Sequence, residues 1–249
     1  MKIALLSDIH GNALALDAVL ADIQQRGGVD SYWILGDLVA LGPDPVGVLE
    51  RLNMLPDVSY VRGNTDRYVV SPDRPPPTLA DVRANPSLLP ILVEVAGSFA
   101  WTQGAITIAG WLPWLKDLPL ERTIILPDGT QVLGVHAAPG RDDGDGITPE
   151  MSDTTIQVML QGCMANVVCV GHTHRPMNRQ IGRWHVINLG SVSNPPPTDW
   201  RASYVLLEAS ETGYDLEHYR VDYDRAAVIR ALDAVGHPGA AFIRKQLGG

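Results

Sequence analysis

Short apolar runs that end in polar residues recur along the first quarter of the chain. They occupy residues 2–8 (KIALLSD), 31–37 (SYWILGD) and 58–61 (VSYV, followed by RGNTD). Such runs are typical of strands buried on both faces of a parallel sheet. Helices are predicted between them, one capped by Asn12 and one near residues 43–53. The pattern therefore predicts β–α units whose strand ends meet at one crevice.

The alternation of predicted strands and helices stops in the segment of about residues 71–119. It begins with the stiff run RPPP at 74–77 and carries three of the chain's six tryptophans. We predict a helical insert that caps the core or packs beside it, with the alternative that part of it completes the core. The tryptophans are expected to pack in the interior, although they are also suited to walling a base-binding pocket.

The strand pattern returns after the insert. Residues 123–136 predict a hairpin about Asp128-Gly129. Further strands are predicted at 167–171, 184–190, 203–209 and 214–221, with helices near 153–161 and 224–235 and a short helix or tail at 238–249. No repeat or linker divides the chain, so a single α/β domain of residues 1–249 is predicted.

Composition narrows the range of partners and locations. A net charge of −9 and a pI near 5.1 argue against a long nucleic acid as partner, because binding one requires a basic face. The two cysteines are interpreted as buried thiols rather than a disulfide framework. The N-terminal apolar run is too short for a signal peptide, and no stretch is expected to approach a membrane span. A cytoplasmic protein without a membrane partner is the expectation.

Seven polar side chains follow five separate apolar runs: Asp8, His10, Asp37, Asn64, His136, His172 and His174. Each motif alone has an ordinary explanation, since Asp caps helices and Gly-Asn forms turns. Their repeated placement at strand ends is hard to obtain by chance. Oxygen and nitrogen donors without thiolate suit Mn, Fe, Zn or similar divalent ions rather than a structural zinc. The pattern predicts a metal site at the strand ends.

The order of motifs, D-x-H at 8–10, GD at 36–37, GNTD at 63–66, His136 and GHTH at 171–174, resembles the calcineurin-like metallophosphoesterase superfamily. Its short bacterial phosphodiesterase-type members look most similar, and the stretch NLGS is similar to the family's closing loop. The resemblance implies a four-layer α/β/β/α sandwich. It also implies a cofactor of two divalent metal ions (Mn, Fe, Zn or Ni).

The resemblance also implies a role for each ligand. One metal would be held by Asp8, His10, Asp37 and His174. Asp37 would bridge to a second metal, held also by Asn64, His136 and His172. A hydroxide shared by the two metals would attack phosphorus, with Asp37, Asn64 and Asp66 expected to be the catalytic residues.

The turn GNTD departs from the family's third motif, in which histidine follows Gly-Asn. Thr65 occupies that position, and a hydroxyl is a poor general acid at neutral pH. Without the general acid that the family's histidine supplies, the rate of hydrolysis falls by ~10²–10⁴-fold for substrates with poor leaving groups. Three roles are then open to Asp66: it hydrogen-bonds to the turn, it pairs with Arg62 or Arg67, or it acts as a substitute acid.

Arginines flank the predicted metal-binding turns at three positions, Arg62, Arg67 and Arg175. A guanidinium can hold phosphate through two donors, so these are the candidate substrate-binding residues. The alternative is that each pairs with a nearby acid. Asn188 and Ser191 are expected either to buttress His172 or to contact substrate.

Three functions remain open on this reading. The first is a metal-dependent phosphodiesterase or phosphatase acting on a small phosphorylated molecule or nucleotide. The second is a nucleotide-polyphosphate hydrolase of the diadenosine-tetraphosphatase kind, whose good leaving group makes the missing acid less costly. The third is a catalytically weak interaction scaffold of the same fold, which the complete set of seven ligands disfavours.

Overall fold

A computed structural model describes residues 1–248 and places ten strands of that range in two five-stranded sheets. The strands are β1 Lys2–Leu6, β2 Ser31–Leu35, β3 Val58–Val61, β4 Glu121–Ile125, β5 Gln131–Val135, β6 Val167–Val170, β7 Met177–Ile181, β8 Trp184–Asn188, β9 Ala202–Ser210 and β10 Gly213–Val221. The helices are α1 Ala13–Gln25, α2 Pro45–Asn53, α3 Asn64–Val70, α4 Leu79–Ala84, α5 Leu89–Ile108, α6 Leu112–Lys116, α7 Asp153–Met159, α8 Arg225–Ala234 and α9 Ala240–Gln246.

Both sheets are mixed, with three neighbouring parallel strands in each. The first has the order β10-β9-β1-β2-β3, in which β1, β2 and β3 run parallel and β9 pairs antiparallel with β1. The second has the order β4-β5-β6-β8-β7, in which β5, β6 and β8 run parallel. Parallel neighbours end at the same edge of a sheet, so polar residues that follow them are brought together.

Three apolar layers hold the sheets and helices in place. Residues of β1 and β2 such as Leu5 and Trp33 pack against Val167 and Ile187 of the second sheet. The outer face of the first sheet is covered by α1, α2 and parts of the insert, and that of the second by α7. The layers are therefore helix, sheet, sheet and helix, as the resemblance implied.

The insert does more than cap the fold. Phe99 and Ile106 of α5 and Leu115 of α6 are buried in the same core as α1 and α2, so part of the segment completes the core. Trp114 meets Tyr60 edge-on, with ring centroids 5.0 Å apart, which is a packing contact. The helical stretch Pro86–Ile108 is long and apolar enough, by length and composition alone, to cross a membrane. This corrects the expectation that no stretch approaches a membrane span.

Two elements were not predicted from the sequence. Strand β7 was missed because its centre, Asn178 to Gln180, is polar and the strand lies at the edge of its sheet. Helix α3 was read only as a turn, because Gly-Asn is ordinary turn chemistry. The structure instead begins the helix at Asn64, and Asp66 in its first turn accepts a hydrogen bond from the backbone N–H of Gly63.

We expect His237 to lower the protein's stability in acid. Its ring packs against Trp101, and burial lowers its pKa to about 4. Between the ordinary histidine pKa near ~6.5 and about 4, the unfolded chain binds a proton that the folded chain does not, so stability falls as the pH falls through that window.

The test is the free energy of unfolding in urea at pH 7 and pH 4.5, for wild type and His237→Asn, with EDTA present throughout. Asparagine keeps an acceptor for the N–H of Gly239, which lies 3.0 Å from His237 Nδ1, but does not titrate. The loss of stability on acidification should be smaller in the variant by about 1–2 kcal/mol. Equal losses in the two proteins would contradict the assignment.

Candidate metal centre

The structure brings the seven predicted ligands together at the junction of the two sheets. Each follows the strand from which it was predicted: β1 precedes Asp8 and His10, β2 precedes Asp37, β3 precedes Asn64, β5 precedes His136, and β6 precedes His172 and His174. The aspartates and three of the histidines are also grouped within ligand distance of one another, as the sets Asp8, His10, His174 and Asp8, Asp37, His136.

The first group surrounds Asp8. His174 Nε2 lies 3.1 Å from Asp8 Oδ1 and 3.2 Å from His10 Nε2. His10 Nε2 lies 3.7 Å from Asp8 Oδ1 and 3.7 Å from Asp37 Oδ2. These four side chains are the ones that the resemblance assigned to one metal.

The second group surrounds Asn64. Its Oδ1 lies 3.1 Å from His136 Nε2 and 3.1 Å from His172 Nδ1. His136 Nε2 is also 3.4 Å from Asp37 Oδ1. Asp37 thus turns one oxygen towards each group, which is the arrangement that a bridging carboxylate needs.

All four histidines are held by backbone carbonyl oxygens on the side away from the centre. The contacts are His10 Nδ1 with Ala40 O at 3.1 Å, His136 Nδ1 with Leu35 O at 2.7 Å, His172 Nε2 with Gly144 O at 2.7 Å and His174 Nδ1 with Asn194 O at 2.8 Å. A carbonyl only accepts, so each of these ring nitrogens donates a proton. In the neutral histidine the other nitrogen then turns a lone pair towards the centre.

This arrangement fits cations. With neutral histidines, the lone pairs of His10 Nε2 and His174 Nε2 point at each other. Asn64 Oδ1 likewise faces the lone pairs of His136 Nε2 and His172 Nδ1. Asp8 Oδ1 is buried and has no hydrogen-bond partner within residues 1–248. Acceptors at 3.1–3.2 Å repel one another unless a positive charge, either a metal ion or a proton on one of the rings, lies among them.

The titration of the site reflects its excess of negative charge. Burial opposes ionisation of Asp37, but the charge and hydrogen bond of His136 outweigh it and hold the pKa of that carboxyl below its ordinary range. Burial likewise opposes protonation of His136, but Asp37 and Asp8 outweigh it and raise the pKa of His136 to about 10. Two buried carboxylates thus draw positive charge into the centre.

Five of the seven predicted ligands have left-handed backbone conformations. Their φ angles are +58° at Asp8, +50° at His10, +57° at Asp37, +67° at His172 and +58° at His174. Such conformations are uncommon outside glycine and cost on the order of 1–3 kcal/mol each. Their concentration at one place marks a functional site rather than a set of surface turns.

Glycine is required where the turns after β2 and β3 meet. A Cβ on Gly63 would lie 2.1 Å from Asp37 Oδ1, and one on Gly36 would lie 2.6 Å from the Cα of Gly63. Gly36 also has a φ of +83°. The glycines of the GD and GN motifs therefore let two ligand turns approach closely.

Comparison with known proteins identifies the family. The calcineurin-like phosphoesterase superfamily domain matches residues 1–212. The chain belongs to this superfamily. An uncharacterized protein of Methanocaldococcus jannaschii is 30% identical over 240 residues, which cover 89% of this chain and 88% of that protein. The crystal structure of a metallophosphoesterase from Sphaerobacter thermophilus has a TM-score of 0.75 and 25% identity, covering 100% of this chain and 98% of that one.

A similarity of smaller extent concerns the nucleotide hydrolases. The symmetrical bis(5'-nucleosyl)-tetraphosphatase of Pectobacterium carotovorum is 33% identical over 93 residues. That match spans 34% of this chain and 33% of the tetraphosphatase, so it compares about a third of each protein.

Within this phosphoesterase fold, the turn GNTD connects the group of candidate ligands around Asn64 to the group around Asp8. Asp66 is fully buried and accepts hydrogen bonds from the backbone N–H groups of Asp37, Leu38 and Gly63, at 2.8, 2.9 and 2.9 Å. The N–H of Thr65 donates to Asp37 Oδ1 at 2.9 Å. Of the three readings of Asp66, the hydrogen bond to the turn is the one the geometry favours.

The three predicted arginines differ in how many donors they leave free. Arg67 donates through all three nitrogens, to the carboxylates of Asp73, Asp142 and Asp143. Arg175 pairs with Glu150 on the surface. Arg62 uses only Nε, which donates to Asp142 at 2.8 Å, and within residues 1–248 its terminal nitrogens have no hydrogen-bond partner.

Residues outside the predicted set support the ligands. Asn188 donates to the backbone oxygen of Gly171, beside His172, and Ser191 donates to the backbone oxygen of Asp8. The first contact favours the prediction that Asn188 buttresses His172, whereas Ser191 supports Asp8 instead of His172. Asp142, which lies between Arg62 and Arg67, was not singled out, although two arginines beside a buried turn are a signal that an acid must face them.

We expect Gly63→Ala to lose metal binding. The added methyl group collides with Asp37 Oδ1 and forces the two ligand turns apart. Affinity for Mn(II), measured by calorimetry, should fall by about 10–100-fold, as it does when groups that orient ligands are removed.

Gly104→Ala in α5 is the matched control, since a Cβ there meets nothing within 4 Å. It should bind Mn(II) as the wild type does and gain up to about 1 kcal/mol of stability. Circular dichroism establishes that both variants are folded. Unchanged metal affinity in a folded Gly63→Ala protein would contradict the role of the close approach.

Proposed function

We propose that this protein is a dinuclear-metal phosphoesterase that hydrolyses a small phosphorylated molecule or nucleotide. The observation that carries the proposal is the orientation of the four histidines. Each is locked by a backbone carbonyl, and the opposite nitrogens converge with Asp8, Asp37 and Asn64. Two divalent ions, Mn, Fe, Zn or Ni, are the proposed cofactor.

When bound, such ions supply Lewis acidity towards phosphoryl oxygens and make a neighbouring water acidic. The residues of the chain hold the ions and orient the substrate. Asp37 supplies the shared carboxylate, and Asp66 is a positioning residue that holds the turns bearing Asp37 and Asn64. Arg62 is the proposed phosphate contact, because its terminal nitrogens remain available as paired donors.

The leaving group receives little help from the protein. Thr65 has no proton-transfer pKa near neutrality, and both oxygens of Asp66 already accept backbone hydrogen bonds. The proposed substrates are therefore phosphodiesters or phosphoesters with acidic leaving groups. Nucleotide polyphosphates are a second candidate, favoured by the similarity to the tetraphosphatase over 93 residues and by the good leaving group of an anhydride.

A scaffold function is disfavoured by the completeness of the site. A chain that had lost its chemistry has no need to keep five candidate ligands in strained backbone conformations. The net charge of −9 disfavours long nucleic acid as substrate. Two buried free cysteines support a cytoplasmic location.

The first test is hydrolysis of bis(p-nitrophenyl) phosphate with Mn(II). We expect activity that EDTA abolishes and Mn(II) restores. Asp37→Asn should lower kcat by about 10²–10³-fold or more, because the shared carboxylate loses its charge. Asp215→Asn, which alters an exposed acid of β10, should retain full activity. If no ester or anhydride is cleaved with any of the four metals, the proposal fails.

Thr65→His tests the missing acid. A histidine at this position supplies a proton donor, so hydrolysis of an alkyl phosphodiester should rise by at least ~10-fold while that of the p-nitrophenyl ester changes little. The measurement is kcat/KM for both esters in both proteins. Equal gains on the two esters would show that proton transfer to the leaving group is not what the site lacks.

A further inference from the structure

A cavity of about 330 Å³ opens beside the metal centre and has no part in the chemistry described above. Its inner wall is the start of α3, where Asn64, Thr65 and Tyr68 lie. Asn64 belongs to the metal centre, so the cavity begins where a phosphoester would be bound. Larger cavities, of about 620, 610 and 530 Å³, lie beside Met1, Gln24 and Cys163 and contain none of the seven ligands.

The remaining walls are mostly carbon. They comprise Leu41, Pro75, Pro76, Ile91, Val95 and Phe99. Gly239 and Phe242 close the C-terminal side. No lysine or arginine lines the cavity, so a second phosphate would find no counter-charge there. Walls of this kind, at the lower end of the ~300–1,000 Å³ range of ligand pockets, suit an uncharged ring.

Two hydroxyl groups on these walls have no partner within residues 1–248. Thr65 Oγ1 and Ser98 Oγ are both buried, in residues that are 6% and 3% exposed, and neither makes a hydrogen bond. Buried hydroxyls are normally paired, and both of these remain available to a polar group bound in the cavity. Glu94 adds an acceptor, since only one of its oxygens is used, by the N–H of Phe242 at 3.2 Å.

We propose that this cavity, the ring pocket, binds an uncharged planar ring on the leaving-group side of the substrate. The walls exclude water from the faces of the ring, and the hydroxyls of Thr65 and Ser98 hydrogen-bond to polar atoms on its edge. A nucleobase has both features, whereas a plain aryl group has only the first. This inference rests on the proposed phosphoesterase function.

The test uses phosphonates, whose C–P bond is not hydrolysed, titrated into Mn(II)-loaded protein by calorimetry. The probes are methylphosphonate, 2-naphthylmethylphosphonate and 9-(2-phosphonoethyl)adenine. Both ring compounds should bind at least ~10-fold more tightly than methylphosphonate, since apolar burial is added. The adenine compound should bind most tightly. Equal affinities for all three would overturn the ring pocket, and tighter binding of the naphthyl compound would overturn the hydrogen-bonding role of the hydroxyls.

Two variants of α5 locate the effect. Val95→Phe fills the ring pocket and should reduce the preference for ring compounds by at least ~10-fold. Val93→Phe adds the same bulk two residues away on an exposed position and should leave all three affinities unchanged. Identical behaviour of the two variants would overturn the location.

Ser98→Ala removes a hydroxyl without filling space. It should lower the advantage of the adenine compound over the naphthyl compound by about 5-fold, the effect of one hydrogen bond. An unchanged advantage would overturn the role of Ser98. The two proposals can fail independently. A preference for ring compounds without hydrolysis would contradict only the enzyme proposal, and hydrolysis without that preference would contradict only the ring pocket.

Discussion

Two carboxylates, Asp8 and Asp37, are buried at the junction of the two sheets with only histidines within ion-pair distance among residues 1–248. Buried charges are costly unless they are paired or coordinate metals. The surrounding structure offsets the cost of burying these two carboxylates. Three histidines, His10, His136 and His174, face the carboxylates, and the fourth, His172, faces Asn64. Each ring is oriented by a backbone carbonyl, and five of the candidate ligands have left-handed backbone conformations. Strain of this kind persists because the packed sheets on both sides leave the turns no alternative.

The GNTD turn lies between the candidate metal centre and the proposed ring pocket. Asp66 at its end serves the scaffold, joining the loops after β2 and β3 through three backbone hydrogen bonds. Asn64 faces two histidines of the centre, whereas Thr65 next to it faces the ring pocket with an unpaired hydroxyl. Under the two proposals above, Thr65 gives little help to a leaving group and also contacts the ring attached to the phosphate. The candidate metal ligand Asn64 and the proposed ring contact Thr65 are therefore adjacent in the chain.

The insert takes part in both stability and recognition. Phe99 lies in the main core and also lines the ring pocket, and Ser98 beside it supplies a hydroxyl. The pocket is closed from the far end of the chain by Gly239 and Phe242. Distant stretches of sequence, among them the GNTD turn, α5 and the start of α9, therefore build one cavity. The proposed ring preference therefore depends on how these segments pack, whereas the candidate ligands are placed by the strand ends.

The sequence by itself determined most of the strands and placed the seven candidate ligands at strand ends, and the order of those motifs implied the sandwich through the family resemblance. Apolar runs ending in Asp, His or Asn mark strands and their ends through local periodicity and residue chemistry, which one sequence displays. Tertiary structure decided the rest. It placed the partners of Arg67 at positions 73, 142 and 143, the carbonyls that orient the histidines, the polar edge strand β7 and the ring pocket. Backbone carbonyls carry no side-chain signature, and a cavity exists only where distant segments pack around it, so neither can be read from local pattern.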